Sequence, residues 1–247
     1  MLMRVVVAKK PQRPKKILFH YRLFSSYKNL VKRRTAVHLK DAGSAIGDLL
    51  AMSVQTIKSL LQHDDSSAPQ RIGFLLLNDF SMLAFASAIE PLRSANRQSN
   101  NKLYEWVIAS PSGEAAVASN GVEVSSDGDT SVLQDCRMVF VCAGVNVREN
   151  TDRNVLNLVR RLDRNGAVIG AICTGTYVMA AAGLLDGRRC TIHWENIDGL
   201  AEEFQDLDIT NDLFEIDGNR VTCSGGIASL DMMLNLISHS HGAQLAA

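Results

Sequence analysis

The stretch Gly170-Ala171-Ile172-Cys173-Thr174-Gly175-Thr176-Tyr177 decides how the rest of the chain is read. The apolar run before it, Ala167-Val168-Ile169-Gly170-Ala171-Ile172, has the length and continuity of a buried parallel strand. Thr176 to Leu185 follows, rich in Ala, Met and Leu, and is expected as a buried helix. Cys173 then falls at a strand-to-helix corner, with the small residues Ala171 and Gly175 two positions to either side. This is the spacing of a nucleophile elbow, with Cys in place of Ser and Ala in place of the first Gly. A side chain at such a corner projects from the carboxyl edge of the sheet, toward free N–H groups at the helix start. Those donors favour an anion, whether thiolate, oxyanion or bound carboxylate. The alternative is a buried, inert cysteine, the commoner fate of the residue. The corner favours a functional role, because a pocket forms there with or without chemistry. It also demands a strained backbone at Cys173 itself.

The elements on either side repeat the strand–helix alternation. Arg71 opens a domain whose first strand is Ile72-Gly73-Phe74-Leu75-Leu76-Leu77, followed by the turn Asn78-Asp79-Phe80-Ser81 with Ser81 as N-cap. Met82 to Gln98 is expected as a helix, with a kink or local break at Pro91. Tyr104-Glu105-Trp106-Val107-Ile108-Ala109 is a second strand, and Pro111 to Ser126 a hairpin-like excursion marked by Gly113 and Asn120-Gly121. Met138-Val139-Phe140-Val141-Cys142 is a third strand, and Thr151 to Asn165 an amphipathic helix closed at Gly166. Beyond the elbow, Arg189 to His193 is a short strand running into Trp194-Glu195-Asn196. Leu213 to Ile216 and Arg220 to Cys223 flank a turn at Asp217-Gly218, and Ser224-Gly225-Gly226 leads into a last helix, Ile227 to His239. The expected fold is therefore α/β, a parallel sheet covered on both faces.

Charge divides the chain. Residues 1–70 hold 13 Lys/Arg against 4 Asp/Glu, and the remainder holds 13 against 22, although the total is neutral. The basic extension, residues 1–69, reads as a nucleic-acid or anionic-surface arm, as a presequence-like segment, or as a poorly structured extension. The last is preferred, since no aromatic interleaving or recognition motif accompanies the charge. Residues 44–62 have helical periodicity, and the run from Asp64 to Pro69 reads as a linker. The domain itself is placed at residues 70–240, with a tail over 241–247. No apolar run reaches transmembrane length, so no membrane association is expected. Five scattered cysteines form no CxxC pair and no zinc-like spacing, and their odd number and scatter point to a reducing, cytoplasmic setting without structural disulfides; no metal or other cofactor is expected.

In such a sheet, ligands lie beyond the carboxyl ends of the strands. Four loops there carry the candidate residues: Asn78 and Asp79; Gly144 and Val145; Cys173 and Thr174; and His193, Trp194 and Glu195. The N–H groups beside Gly144 and at Thr174 would form an anion hole. His193 is either a base for Cys173, a ligand contact or a structural histidine. Trp194 is either core or a pocket wall, and Glu195 either a counter-charge for a cation or a solvated carboxylate.

From Arg71 to about His239 the chain resembles the ThiJ/PfpI branch of the class I glutamine amidotransferase-like superfamily, of flavodoxin-like type. More narrowly, it resembles the sensor domain of AraC-family transcriptional regulators. The motifs are Gly73-Phe74-Leu75-Leu76-Leu77 with Glu90-Pro91-Leu92-Arg93-Ser94-Ala95-Asn96; the elbow with Ala182-Gly183-Leu184-Leu185-Asp186-Gly187; Thr191-Ile192-His193-Trp194-Glu195; and Asp217 through Asp231. The nearest flavour is that of regulators responding to arginine, carnitine or glycine betaine. The resemblance implies a small amine or zwitterionic ligand, a homodimer, and DNA contact only through a helix-turn-helix region that these residues do not include. Enzymes of the group place a Glu near the Cys, and the matching position here is Ala84, which argues against catalysis by Cys173 and His193.

Three functions follow as expectations: a non-catalytic sensing domain, a Cys-dependent hydrolase, hydratase or glyoxalase-like enzyme, or a truncated regulator without independent role. A zwitterion would place its carboxylate on the N–H groups of Gly144 or Val145 and Thr174, and its cation against Trp194, with Glu195 or Asp79 near.

Overall fold

The structure is a computed structural model that describes residues 68–247. The basic arm and the helix expected over 44–62 lie outside the described residues.

Alternating apolar positions build the sheet. In β1 (Gln70–Leu76), Ile72, Phe74 and Leu76 face one side, while Leu75, and Leu77 just beyond, face the other. β5 (Met138–Cys142) repeats the pattern, sending Met138, Phe140 and Cys142 to the first side and Val139 and Val141 to the second. Both sides of the sheet are thus apolar, as a parallel sheet covered by helices requires. β2 (Tyr104–Ala109) flanks β1, and β6 (Val168–Ile172) flanks β5. β10 (Arg220–Cys223) pairs parallel to β6, and β9 (Phe214–Asp217) closes the edge antiparallel to β10. The strand order is β2-β1-β5-β6-β10-β9. The hairpin expected after β2 is present as β3 (Ala116–Val117) and β4 (Glu123–Val124).

The first face carries α1 (Met82–Ser99) and α5 (Ala228–His241). The second carries α2 (Arg153–Arg164), α3 (Gly175–Ala181) and α4 (Ile197–Glu203). Ser81 caps α1 by accepting from the Ala84 N–H at 3.3 Å, and Asp152 caps α2 by accepting from Val155 at 2.8 Å. α1 runs without a break through the buried Pro91. The strand expected at Arg189 to His193 is shorter: β7 (Arg189–Cys190) pairs only with β8 (Asp208–Ile209). α3 ends four residues before the expected Leu185, and carbonyls at its end and just beyond it are taken by side chains. Arg160 donates to Ala182 at 2.9 Å and Ala181 at 3.1 Å, and Arg220 donates to Leu184 at 2.8 Å. The stretch after residue 240 is also not a plain tail. α5 continues to His241, and α6 (Ala243–Ala246) packs Leu245 and Ala246 against the first core cluster.

Phe140 fills the space that Gly170 leaves open. A Cβ at Gly170 would lie 2.3 Å from one ring carbon of Phe140 and 2.4 Å from the next. Phe140 also stacks on Phe74 at 5.8 Å, so its ring has little freedom to move. Gly170→Ala is therefore expected to cost about 1–3 kcal/mol by overpacking. Gly199→Ala, in α4 with nothing within 4 Å, is expected to be neutral or stabilising by up to about 1 kcal/mol. Urea unfolding of both variants checks this, and equal midpoints would contradict the overpacking.

Candidate functional site

The corner after β6 is built by one strained residue. Cys173 has φ 62°, in the left-handed region that a non-glycine residue adopts only when its surroundings impose it. Gly175 is helical, and its smallness serves packing rather than turning: a Cβ there would lie 2.2 Å from the Val141 carbonyl oxygen. On the other side Gly225, at φ 88°, closes over the corner. A Cβ at Gly225 would lie 2.7 Å from the Cys173 Cβ and 3.1 Å from its sulfur. The left-handed turn breaks strand alternation, so Ile172 and Cys173 belong to the same core cluster, together with Cys142, Cys223 and Ala84.

Cys173 is 6% exposed. Burial pushes its thiol up to about 11. The Thr174 N–H pulls it down, while Cys223 and Glu195 push it further up. Cys223 is pushed up to about 11 as well, by burial first, while the Gly225 N–H and the Ser229 hydroxyl pull it down. Cys142, beneath them, is raised mainly by burial. All five cysteines are free and buried.

The neighbouring loops are knitted together by polar contacts. Thr174 donates its hydroxyl to the Gly144 carbonyl at 2.6 Å, so a carbonyl, not an N–H, of Gly144 meets the elbow. Gly144 sits so close to the first loop that a Cβ would lie 2.1 Å from the Asp79 carbonyl. Asp79, at φ 62°, accepts from the Asn146 side chain at 3.0 Å. Asn78 accepts from the Val117 N–H at 3.1 Å. Val145 is exposed beside them. The candidates Asn78 and Asp79 thus spend polar atoms on the hairpin β3–β4 and the β5 loop.

His193 caps the turn Trp194–Asn196 by accepting from the Glu195 N–H at 3.4 Å. Its Nδ1 is 3.9 Å from the Glu195 carboxylate, and its ring is 5.8 Å from the Trp194 ring. Among the described residues no hydrogen bond joins His193 to Cys173. Trp194 is 71% exposed, with Glu195 exposed next to it. Ala84, where the enzymes' carboxylate was expected, is fully buried in the first turn of α1. Among the described residues no group of three or more His, Cys, Asp or Glu is arranged for a metal ion. No described helix is long and apolar enough to cross a membrane.

Two site features escaped the sequence. Gly225, quoted there as part of a motif and as a lead into the last helix, is the residue that abuts the sulfur. Arg148, in the β5 loop, joins Glu203 of α4 in an ion pair. Their places depend on long-range packing, and no local spacing signals it.

A flavodoxin-like sheet with a cysteine at a left-handed elbow defines a class of α/β proteins. Residues 70–239 match the DJ-1/PfpI family, and the chain belongs to that family. It is 49% identical over 177 residues to the HTH-type transcriptional regulator CdhR of Pseudomonas aeruginosa, covering 72% of this chain and 52% of that one. Further curated relatives at 38–43% identity are also described as HTH-type transcriptional regulators. The crystal structure of an AraC family transcriptional regulator from Pseudomonas putida superimposes with a TM-score of 0.65 at 26% identity, covering 72% of this chain and 96% of that one. The isonitrile hydratase of Pseudomonas putida is 26% identical over 181 residues, covering 71% of this chain and 74% of that enzyme. The chain spans about half the length of the regulators it matches.

A thiol held at about 11 is almost wholly protonated at neutral pH: roughly one in ten thousand is ionised at pH 7. Iodoacetamide labelling of Cys173 is accordingly expected to be negligible at pH 7 and to climb toward pH 11. The same shift bears on stability. Folded Cys173 titrates above the ordinary value of 9.0, so its contribution is complete below about pH 9 and is lost as pH rises through 11. Mass spectrometry of the labelled peptide against pH reads the first effect. Full labelling at pH 7 would contradict the protonated thiol.

Proposed function

We propose that this chain is the small-molecule-sensing domain of an AraC-type transcriptional regulator, and that it binds an amine or zwitterionic metabolite at the carboxyl edge around Cys173 without catalysis. The observation that carries this reading is the site's chemistry beside its relatives. The elbow is kept, but its thiol is protonated, Ala84 stands where a carboxylate would activate it, and His193 is turned to its own cap. Beyond β7, the exposed indole of Trp194 and the neighbouring Glu195 carboxylate offer groups that suit a cation. The regulators among the relatives support sensing as the use of those groups. In this reading the domain works in the cytoplasm as part of a homodimer, and DNA contact falls to a helix-turn-helix region outside these residues. The second reading, a Cys-dependent hydratase or hydrolase, is favoured by the similarity to the isonitrile hydratase.

Thermal-shift measurement with glycine betaine, carnitine and arginine tests the proposal, because a ligand that binds only the folded state raises Tm. A rise with at least one is expected, and no rise with any of them would reject it. With a compound that binds, Trp194→Ala is expected to weaken affinity more than Glu195→Gln. An ammonium over an exposed indole gains about 0.5–2 kcal/mol, whereas an exposed carboxylate is screened by solvent. Isothermal titration of both variants gives the order, and a larger loss for Glu195→Gln would move recognition to ion pairing.

A further inference from the structure

The loops around the elbow are short of positive charge. Among the described residues, no Lys or Arg occurs in residues 77–81, 173–174, 191–196 or 224–227, and Arg148 is the only one in residues 143–152. That single cation is already engaged. Its guanidinium pairs with Glu203 at the end of α4, and its central carbon lies 5.0 Å from the centre of the Tyr177 ring. Tyr177, in the first turn of the elbow helix, donates its hydroxyl to the other oxygen of Glu203 at 3.0 Å. Phe204 packs edge-on against the same ring at 5.8 Å. One carboxylate therefore ties the β5 loop and the elbow helix to α4, and α4 directly follows the turn that carries Trp194 and Glu195.

Two properties make this contact exchangeable. Arg148 is exposed and Glu203 partly so at its side chain, so water screens the pair. Glu203 also sits at the C-terminal end of its helix, where the backbone carbonyls disfavour a negative charge. A carboxylate from outside can compete with Glu203, because the guanidinium offers the same donors to either and water already weakens the existing pair.

We propose, on the sensing reading above, that Arg148 is the carboxylate-binding residue of the site, and that an acidic group of the ligand takes Arg148 from Glu203 and so frees α4. The ligand class is thereby narrowed to cations that also carry a carboxylate. The expected anchor is this side chain rather than the backbone of Gly144, whose carbonyl faces the elbow. Release of α4 converts occupancy into a local loosening, which is a differential contact of the kind a switch requires.

The test uses the whole chain and two quaternary ammonium probes, glycine betaine with a carboxylate and choline without one. Hydrogen exchange of residues 193–204 is read by mass spectrometry without probe, with each probe, and in Arg148→Gln. Faster exchange, by several-fold, is expected in unliganded Arg148→Gln and in wild type with betaine, but not with choline. Titration calorimetry is expected to show betaine affinity falling at least fivefold in Arg148→Gln and rising in Glu203→Gln, with choline affinity unchanged in both. Equal betaine affinity in wild type and Arg148→Gln overturns the exchange while leaving the sensing reading intact. Unchanged exchange of residues 193–204 in unliganded Arg148→Gln overturns the latch whether or not any probe binds. If neither probe binds wild type, the exchange fails, and carnitine and arginine then decide the sensing reading separately.

Discussion

The depth at which the elbow helix seats on the sheet is the constraint on which the site depends. Only a glycine at 175 lets α3 approach β5 closely enough to put its backbone beside the Val141 carbonyl. With the helix start fixed there and Ile172 fixed in the sheet, one residue must turn the chain between them. Cys173 does so at φ 62°, a conformation costing about 1–3 kcal/mol in a non-glycine residue. The surrounding contacts hold it: its N–H donates to the Cys223 carbonyl at 3.0 Å, and Gly225 leans on its side chain. A larger residue at 175 or 225 would have to move backbone, so strain and close packing belong to one arrangement.

That arrangement also sets the chemistry. The turn buries the sulfur on the α1 and α5 side, among Cys142 and Cys223, where few dipoles stabilise an anion. One N–H from Thr174 favours the thiolate, but desolvation outweighs it. An activated nucleophile needs a base or a fixed positive charge nearby. Ala84 supplies neither, and the one cation in the β5 loop, Arg148, is spent on Glu203. The elbow geometry is thus kept, while the thiol at its corner stays protonated at neutral pH.

Much of this was legible in the sequence, for identifiable reasons. Buried strands announce themselves as apolar runs, and the central ones were found within two residues because both faces of a parallel sheet are covered. Ser81 and Asn165-Gly166 marked helix ends because capping is a local event. The Cys173 corner was readable from its small neighbours, although the reason for Gly175 proved to be contact with another strand. Failures came where distant residues decide. The short β7 and the early end of α3 depend on β8, Arg160 and Arg220, which lie far away in sequence. Polar side chains of the first loop looked available for a ligand, yet Asn78 and Asp79 bond to Val117 and Asn146. Side-chain partners of that kind are set by the fold and carry no local signature.

The placement of α5 gives the elbow a reach beyond its own edge. The helix begins three residues after Gly225, which touches Cys173, and its 14 residues span about 21 Å. Its far end brings His241 edge-on to Tyr104 at the start of β2, and burial pushes the Tyr104 hydroxyl up to about 12. α5 is packed along α1 and against the sheet, so it moves as a body or not at all. Gly225 and Gly226, at φ 88° and 59°, connect the corner to that helix. The corner thus meets a packed helix on one side and, through Tyr177 and Arg148, a solvent-screened ion pair on the other. Of the two, the exposed ion pair is the softer element.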